Sequence, residues 1–137
     1  MSQRITRRLE IDAGHRLLKH EGKCRNYHGH RYVFLVTCEA VELDTVGRVV
    51  DFSVVKEKVG GWLDDVFDHG MIVEEGDPMI EAFHATGTKF SILDCPPTAE
   101  NLSRIVFTRA SELLNGDGLR VVQIECFETP NCSAVYP

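Results

Sequence analysis

The stretch Gly22–Leu43, GKCRNYHGHRYVFLVTCEAVEL, carries two signals at once. From His30 to Leu43 it is rich in aromatic and β-branched residues and reads as a long strand. Just ahead, Cys24 stands four residues before His28, and one glycine separates His28 from His30. A strand opening on these histidines points both imidazoles to one face, about 7 Å apart along the chain. Upstream, residues 3–15 alternate. Ile5, Leu9, Ile11, Ala13 and His15 share one parity, and Arg8, Glu10 and Asp12 take the other. That is the period of a half-buried strand. Paired as a hairpin, the two strands bring His15 to the face of the other two rings.

Working outward, Asp44–Arg48 supplies turn chemistry and VVDF (49–52) predicts a short strand. After Ser53 as N-cap, Val55, Val59, Trp62, Leu63, Val66 and Phe67 recur at helical spacing, predicting a helix over 54–67. Residues 70–96 read as irregular. A second helix follows Thr98 as N-cap, with Glu100 in its first turn and a stripe of Leu102, Ile105, Val106, Arg109 and Leu113. It stops at Asn115–Gly116, and strands follow near 119–128 and 132–136. The order ββααββ predicts one α+β domain over 1–137, a four-stranded antiparallel sheet with two helices on one face. Such a sheet keeps two free edges, which pairing between copies in a ring-like homo-oligomer would cover.

At 137 residues, 43% hydrophobic and 26% charged, the composition is that of a single globular domain and argues against disorder. No apolar run approaches the roughly 20 residues of a membrane helix, and MSQRITRRLE lacks the apolar core of a secretory signal, so a cytoplasmic protein is expected. Five cysteines, an odd number, argue for free thiols, with Cys38 and Cys126 read as core. A net charge of −6 disfavours nucleic acid as a partner. Between His15 and Arg31, however, Arg16, Lys19, Lys23, Arg25 and Arg31 face only Glu21. This basic island reads either as a solvated loop or as a site for an anionic small molecule.

Three neutral imidazoles suit zinc and leave a fourth position open, the arrangement of a catalytic site. Cys24 reads either as a reactive thiolate flanked by Lys23 and Arg25 or as a fourth zinc ligand. Asp68–His69 is either a proton relay or an ordinary helix-terminal pair. Glu128 is either a rim charge or an acceptor for paired N–H groups of an amidine-like ring edge.

DAGHR with His15, CRNYHGH with Cys24, His28 and His30, GRVVDF, FDH with Asp68 and His69, PTAENL with Glu100 and FET with Glu128 occur in this order. The set resembles the 6-pyruvoyl-tetrahydropterin synthase superfamily over nearly the whole chain. Within it, the three residues between Cys24 and His28 and the VVDF segment resemble the bacterial, queuosine-pathway branch that forms 6-carboxy-5,6,7,8-tetrahydropterin. The resemblance implies the tunnelling fold, assembled as trimers stacked into hexamers with the active site at a subunit interface. It implies zinc on His15, His28 and His30, and Cys24 as catalytic thiol. Asp68 and His69 would complete a proton-transfer triad with a neighbouring subunit's cysteine. Glu128, with Thr129 beside it, would hold the pterin edge, and Arg25 in the basic loop would meet the triphosphate. The implied reaction converts 7,8-dihydroneopterin triphosphate to 6-carboxytetrahydropterin with loss of acetaldehyde and triphosphate. The alternatives are a pyruvoyl-forming or related side-chain lyase and a non-catalytic zinc-stabilised pterin-binding protein. The chain departs from the pattern in lacking the asparagine after Asp68–His69, in a longer 74–95 segment and in Pro130 after Thr129.

Overall fold

The computed structural model describes residues 1–137. At its centre β1 (Gln3–His15) and β2 (His28–Ala40) pair antiparallel along their whole length, from Gln3 opposite Ala40 to His15 opposite His28. β5 (Leu119–Thr129) runs antiparallel beside β2, and β6 (Cys132–Tyr136) beside β5. On the other side of β1, β3 (Met71–Glu74) and β4 (Phe90–Leu93) add in parallel. The result is a six-stranded mixed sheet of order β4-β3-β1-β2-β5-β6.

The alternation read from the sequence decides which face is buried. Leu9, Ile11 and Ala13 of β1, Tyr32, Phe34, Val36 and Cys38 of β2, and Ile124 and Cys126 of β5 form one apolar surface. Two helical segments cover it. The first is α1 (Phe52–Val55), a π-turn (Lys56–Gly60) and α2 (Gly61–Val66), which run on continuously and bury Val55, Val59 and Leu63. The second is α4 (Ala99–Leu114), which buries Leu102, Val106 and Ala110. Each large side chain so buried contributes about 1.5–3 kcal/mol. Cys38 and Cys126 are core, as their apolar neighbours predict.

The structure corrects four expectations. The sheet is not four-stranded and antiparallel, because residues 70–96 are not irregular: they hold β3, α3 (Ile80–Thr86) and β4, the crossover that parallel pairing requires. These strands are four residues each, too short for alternation to emerge from their charged surroundings. For the same reason there are more than two helices. VVDF is no strand: Asp51 is the N-cap of α1, its carboxylate accepting from the Ser53 N–H at 2.8 Å, so the cap lies two residues before Ser53. On α4 the buried stripe runs through Leu102, Val106, Ala110 and Leu114, while Arg109 points out to Glu112 at 2.8 Å. Thr98 caps α4 as read, its hydroxyl accepting from Asn101 N–H at 3.1 Å.

The far end of the β1–β2 pair is locked by Glu39, which is only 7% exposed. It accepts from the Ser2 hydroxyl at 2.7 Å, from Arg120 at 2.7 and 3.0 Å, and from Arg4 at 3.3 Å. The Ser2 and Arg120 bonds hold its carboxyl at about 2, below the roughly 4.3 of an unfolded chain. A depressed folded-state value means stabilisation that is complete above the unfolded value and lost as the pH falls toward the folded one. The denaturation midpoints of the wild-type chain and Glu39→Gln should therefore differ by a constant amount at neutral pH and converge between about pH 4.3 and 2. A difference that stays constant down to pH 2 would show that Glu39 contributes nothing through its charge.

Candidate metal centre

The β1–β2 register carries the buried stripe directly into three histidines. His15 stands opposite His28 and Ala13 opposite His30, so all three rings lie on the core face at the end of the pair. Their centroids are 4.7, 4.8 and 5.1 Å apart. A Cβ at Gly14 would stand 2.6 Å from Met71 Sδ, so a larger residue there would displace the end of that side chain where β3 joins β1.

Hydrogen bonds fix which ring nitrogens are free. His15 Nδ1 lies 2.7 Å from the Pro97 carbonyl and His28 Nδ1 2.7 Å from the Asn26 carbonyl. A carbonyl only accepts, so both Nδ1 atoms carry the proton and both Nε2 atoms present lone pairs. Those two Nε2 atoms face one another at 3.1 Å. Two lone pairs cannot bond each other; they can share a cation. His30 Nε2 is buried and makes no well-directed hydrogen bond, although Glu128 Oε1 is 2.9 Å away. The same oxygen is 3.1 Å from His15 Nε2. Donor atoms of His15, His28, His30 and Glu128 all lie within 4.8 Å of one another. Tetrahedral zinc with bonds of about 2.0–2.1 Å separates its ligand nitrogens by about 3.3 Å, so this group fits a divalent ion.

Burial reinforces that chemistry. It lowers His15 and His30 despite the opposing charge of Glu128, which keeps their rings neutral, the form that binds metal. Tyr32, fully buried, forms the floor, its ring edge-on to His15 at 5.7 Å and to His30 at 5.5 Å.

The remaining candidates lie outside this group of donors. Cys24 sits half-buried in a 3₁₀ turn (Lys23–Arg25) and is not among the four clustered donors. Asp68 and His69 are together, His69 Nδ1 donating to Asp68 at 2.8 Å, on a left-handed turn (φ 57) after α2. Asp12 anchors them: its N–H donates to Asp68 at 2.9 Å and its carbonyl accepts from His69 N–H at 2.7 Å. No hydrogen bond joins this pair to Cys24 of the same chain. Arg25 is exposed. Thr129 accepts from Asn131 N–H at 3.2 Å and, with Glu128, lines a cleft of about 660 Å³ that also includes His30, Phe127 and Pro130. The proximity of Glu128 to the rings escaped the sequence, although its shared parity with Ile124 and Cys126 signals the inner face. The Pro97 carbonyl, 82 residues from its histidine, left no signal at all.

Residues 4–137 match the family model described as 6-pyruvoyl tetrahydropterin synthase, and the chain belongs to that family. Within it, the chain is 42% identical over 132 residues to the 6-carboxy-5,6,7,8-tetrahydropterin synthase of Rickettsia bellii, covering 94% of this chain and 96% of that protein. Among solved structures it is similar to an uncharacterised protein of Wolinella succinogenes (TM-score 0.85, 21% identity, 99% of this chain and 98% of that one). It is also similar to the 6-pyruvoyl tetrahydropterin synthase of Caenorhabditis elegans (TM-score 0.74, 23% identity, 99% and 95%).

One divalent ion per chain is expected to bind here. His15→Ala or His28→Ala should weaken it by more than about 100-fold in chelator competition. Chelation should lower the melting midpoint of the wild-type chain and leave the His15→Ala midpoint unmoved, since only a ligand that binds the folded state stabilises it.

Proposed function

We propose that the protein is a zinc-dependent lyase that converts 7,8-dihydroneopterin triphosphate and one water to 6-carboxy-5,6,7,8-tetrahydropterin, acetaldehyde and triphosphate, in 7-deazapurine biosynthesis of the queuosine type. The single observation that carries this reading is the pair of His15 and His28 lone pairs facing each other at 3.1 Å, with His30 Nε2 beside them. The name of the Rickettsia bellii relative supports the pterin product.

His15, His28 and His30 would hold the zinc, which would supply Lewis-acid chemistry toward the substrate side chain. The rest of the chemistry falls to the chain's own residues. Cys24, outside the donor group, keeps its sulfur free to take a proton from the side-chain carbon. His69 donates through Nδ1 to Asp68, which leaves Nε2 as the proton-transfer atom. Glu128 and Thr129 border the cleft beside the rings, where a carboxylate meets the 2-amino and N3 edge of the pterin. Arg25, with Lys19 and Lys23 on the same basic loop, meets the triphosphate.

A ring-like homo-oligomer, a hexamer built as a dimer of trimers, is part of the same reading. Both outer strands, β4 and β6, are unpaired on one side, with Ile92 and Val135 each 49% exposed. Cys24 and the Asp68–His69 pair share no bond within one chain, which suits a triad completed between subunits.

The test is product analysis with dihydroneopterin triphosphate. Acetaldehyde and the 6-carboxy product are expected; a 6-pyruvoyl product without acetaldehyde would reassign the chain to the sister activity. Cys24→Ala should keep its metal and lose about 10²–10⁴-fold in turnover. Loss of metal in that variant would instead make the sulfur a ligand and the protein a zinc-stabilised binding module.

A further inference from the structure

The loop between β1 and β2, residues 16–27, carries Cys24 and most of the basic island, and its two feet adjoin metal-site histidines. Arg16 follows His15, and Tyr27 precedes His28. One carboxylate holds both. Asp77, in the short connection between β3 and α3, is 3% exposed. It accepts from Arg16 through both oxygens, with Nε at 2.9 Å, and from the Tyr27 hydroxyl at 2.7 Å. The Met79 N–H adds a further bond at 2.9 Å. The arginine guanidinium lies over the Tyr27 ring, 4.6 Å from its centroid, and Phe83 of α3 meets that ring edge-on at 5.6 Å. Farther along the loop, Leu17 N–H donates to the Cys24 carbonyl at 2.8 Å. The path from the carboxylate to the thiol-bearing residue thus runs Asp77, Arg16, Leu17, Cys24.

A buried carboxylate with four donors is a costly feature unless its bonds are all made. Here they are made, and they outweigh the burial that would raise its pKa, holding the group ionised. Fold stability alone would be served by apolar residues of similar size at these positions. What apolar contacts do not supply is direction: a bidentate arginine and a hydroxyl fixed to one carboxylate set the spacing of the two feet.

We propose that Asp77 is a positioning residue, tying the feet of the 16–27 loop so that Cys24 is presented at a fixed place beside the three imidazoles, and that this is a role of the 74–95 segment. The proposal rests on the functional reading of Cys24 above.

The test uses the full chain with its metal and the variants Asp77→Asn and Tyr27→Phe, the second of which keeps the ring packing and removes one hydroxyl. Three quantities are read: amide exchange over residues 17–26, the rate of Cys24 alkylation by iodoacetamide resolved by peptide mass spectrometry, and kcat with dihydroneopterin triphosphate. Asp77→Asn should speed exchange in the loop and lower kcat, each by about 10-fold or more, while binding one ion per chain. Cys24 alkylation should change by at least about threefold, and Tyr27→Phe should move all three readouts the same way by a smaller factor. A lower melting midpoint with loop exchange, alkylation and kcat all within about twofold of wild type would overturn the proposal, because that is what a purely structural ion pair gives. A looser loop with unchanged kcat would overturn it as well. Should Asp77→Asn fail to fold, Tyr27→Phe decides by the same readouts. In a wild-type protein that does not turn over this substrate, the reaction assigned above fails. The tie then stands or falls on exchange and alkylation.

Discussion

Two imidazole lone pairs face to face repel one another; the pairing of β1 with β2 brings the rings together, and bonds to the Pro97 and Asn26 carbonyls orient them. That pairing is fixed by hydrophobic alternation rather than by the histidines. A slip of one strand by one residue would turn its own apolar set outward, Leu9 and Ile11 on β1 or Phe34 and Val36 on β2, and part His15 from His28 and His30. The same parity therefore builds the core and the site. The contact between His15 and His28 is held by the strand register and by the two carbonyl bonds, and an ion between the nitrogens would reverse its sign.

The residues proposed for proton transfer are mounted on connections. Cys24 and the basic residues occupy the 16–27 loop, and Asp68–His69 occupies the turn that follows α2. Each connection is pinned where it leaves regular structure, the turn by the Asp12 backbone and the loop by Asp77. In a chain of net charge −6, Lys19, Lys23 and Arg25 against Glu21 leave the tethered loop locally positive.

Much of this was legible in the sequence. Alternation over residues 3–15 and the β-rich run after His30 identified the central hairpin, and that hairpin is enough to bring His15 to His28 and His30. Helical spacing found α4 with its Thr98 cap. The outer parallel strands escaped because Met71–Glu74 and Phe90–Leu93 are too short to display a period, and parallel pairing is set by the crossover between them. Asp51 was hidden as a cap because the valines before it resemble a strand. Glu128 needed the register of β5 on β2, which no local pattern encodes. Asp77 and Pro97 act across 61 and 82 residues, a range at which residue type carries no information about contact.

The Pro97 carbonyl has one more consequence. It belongs to the two-proline lead-in of α4 and is also what keeps the His15 ring from rotating. Helix ends fray before helices melt. Loosening at the start of α4 would release that ring while the sheet was still intact, so on gentle warming the grip on the ion should soften before the core gives way.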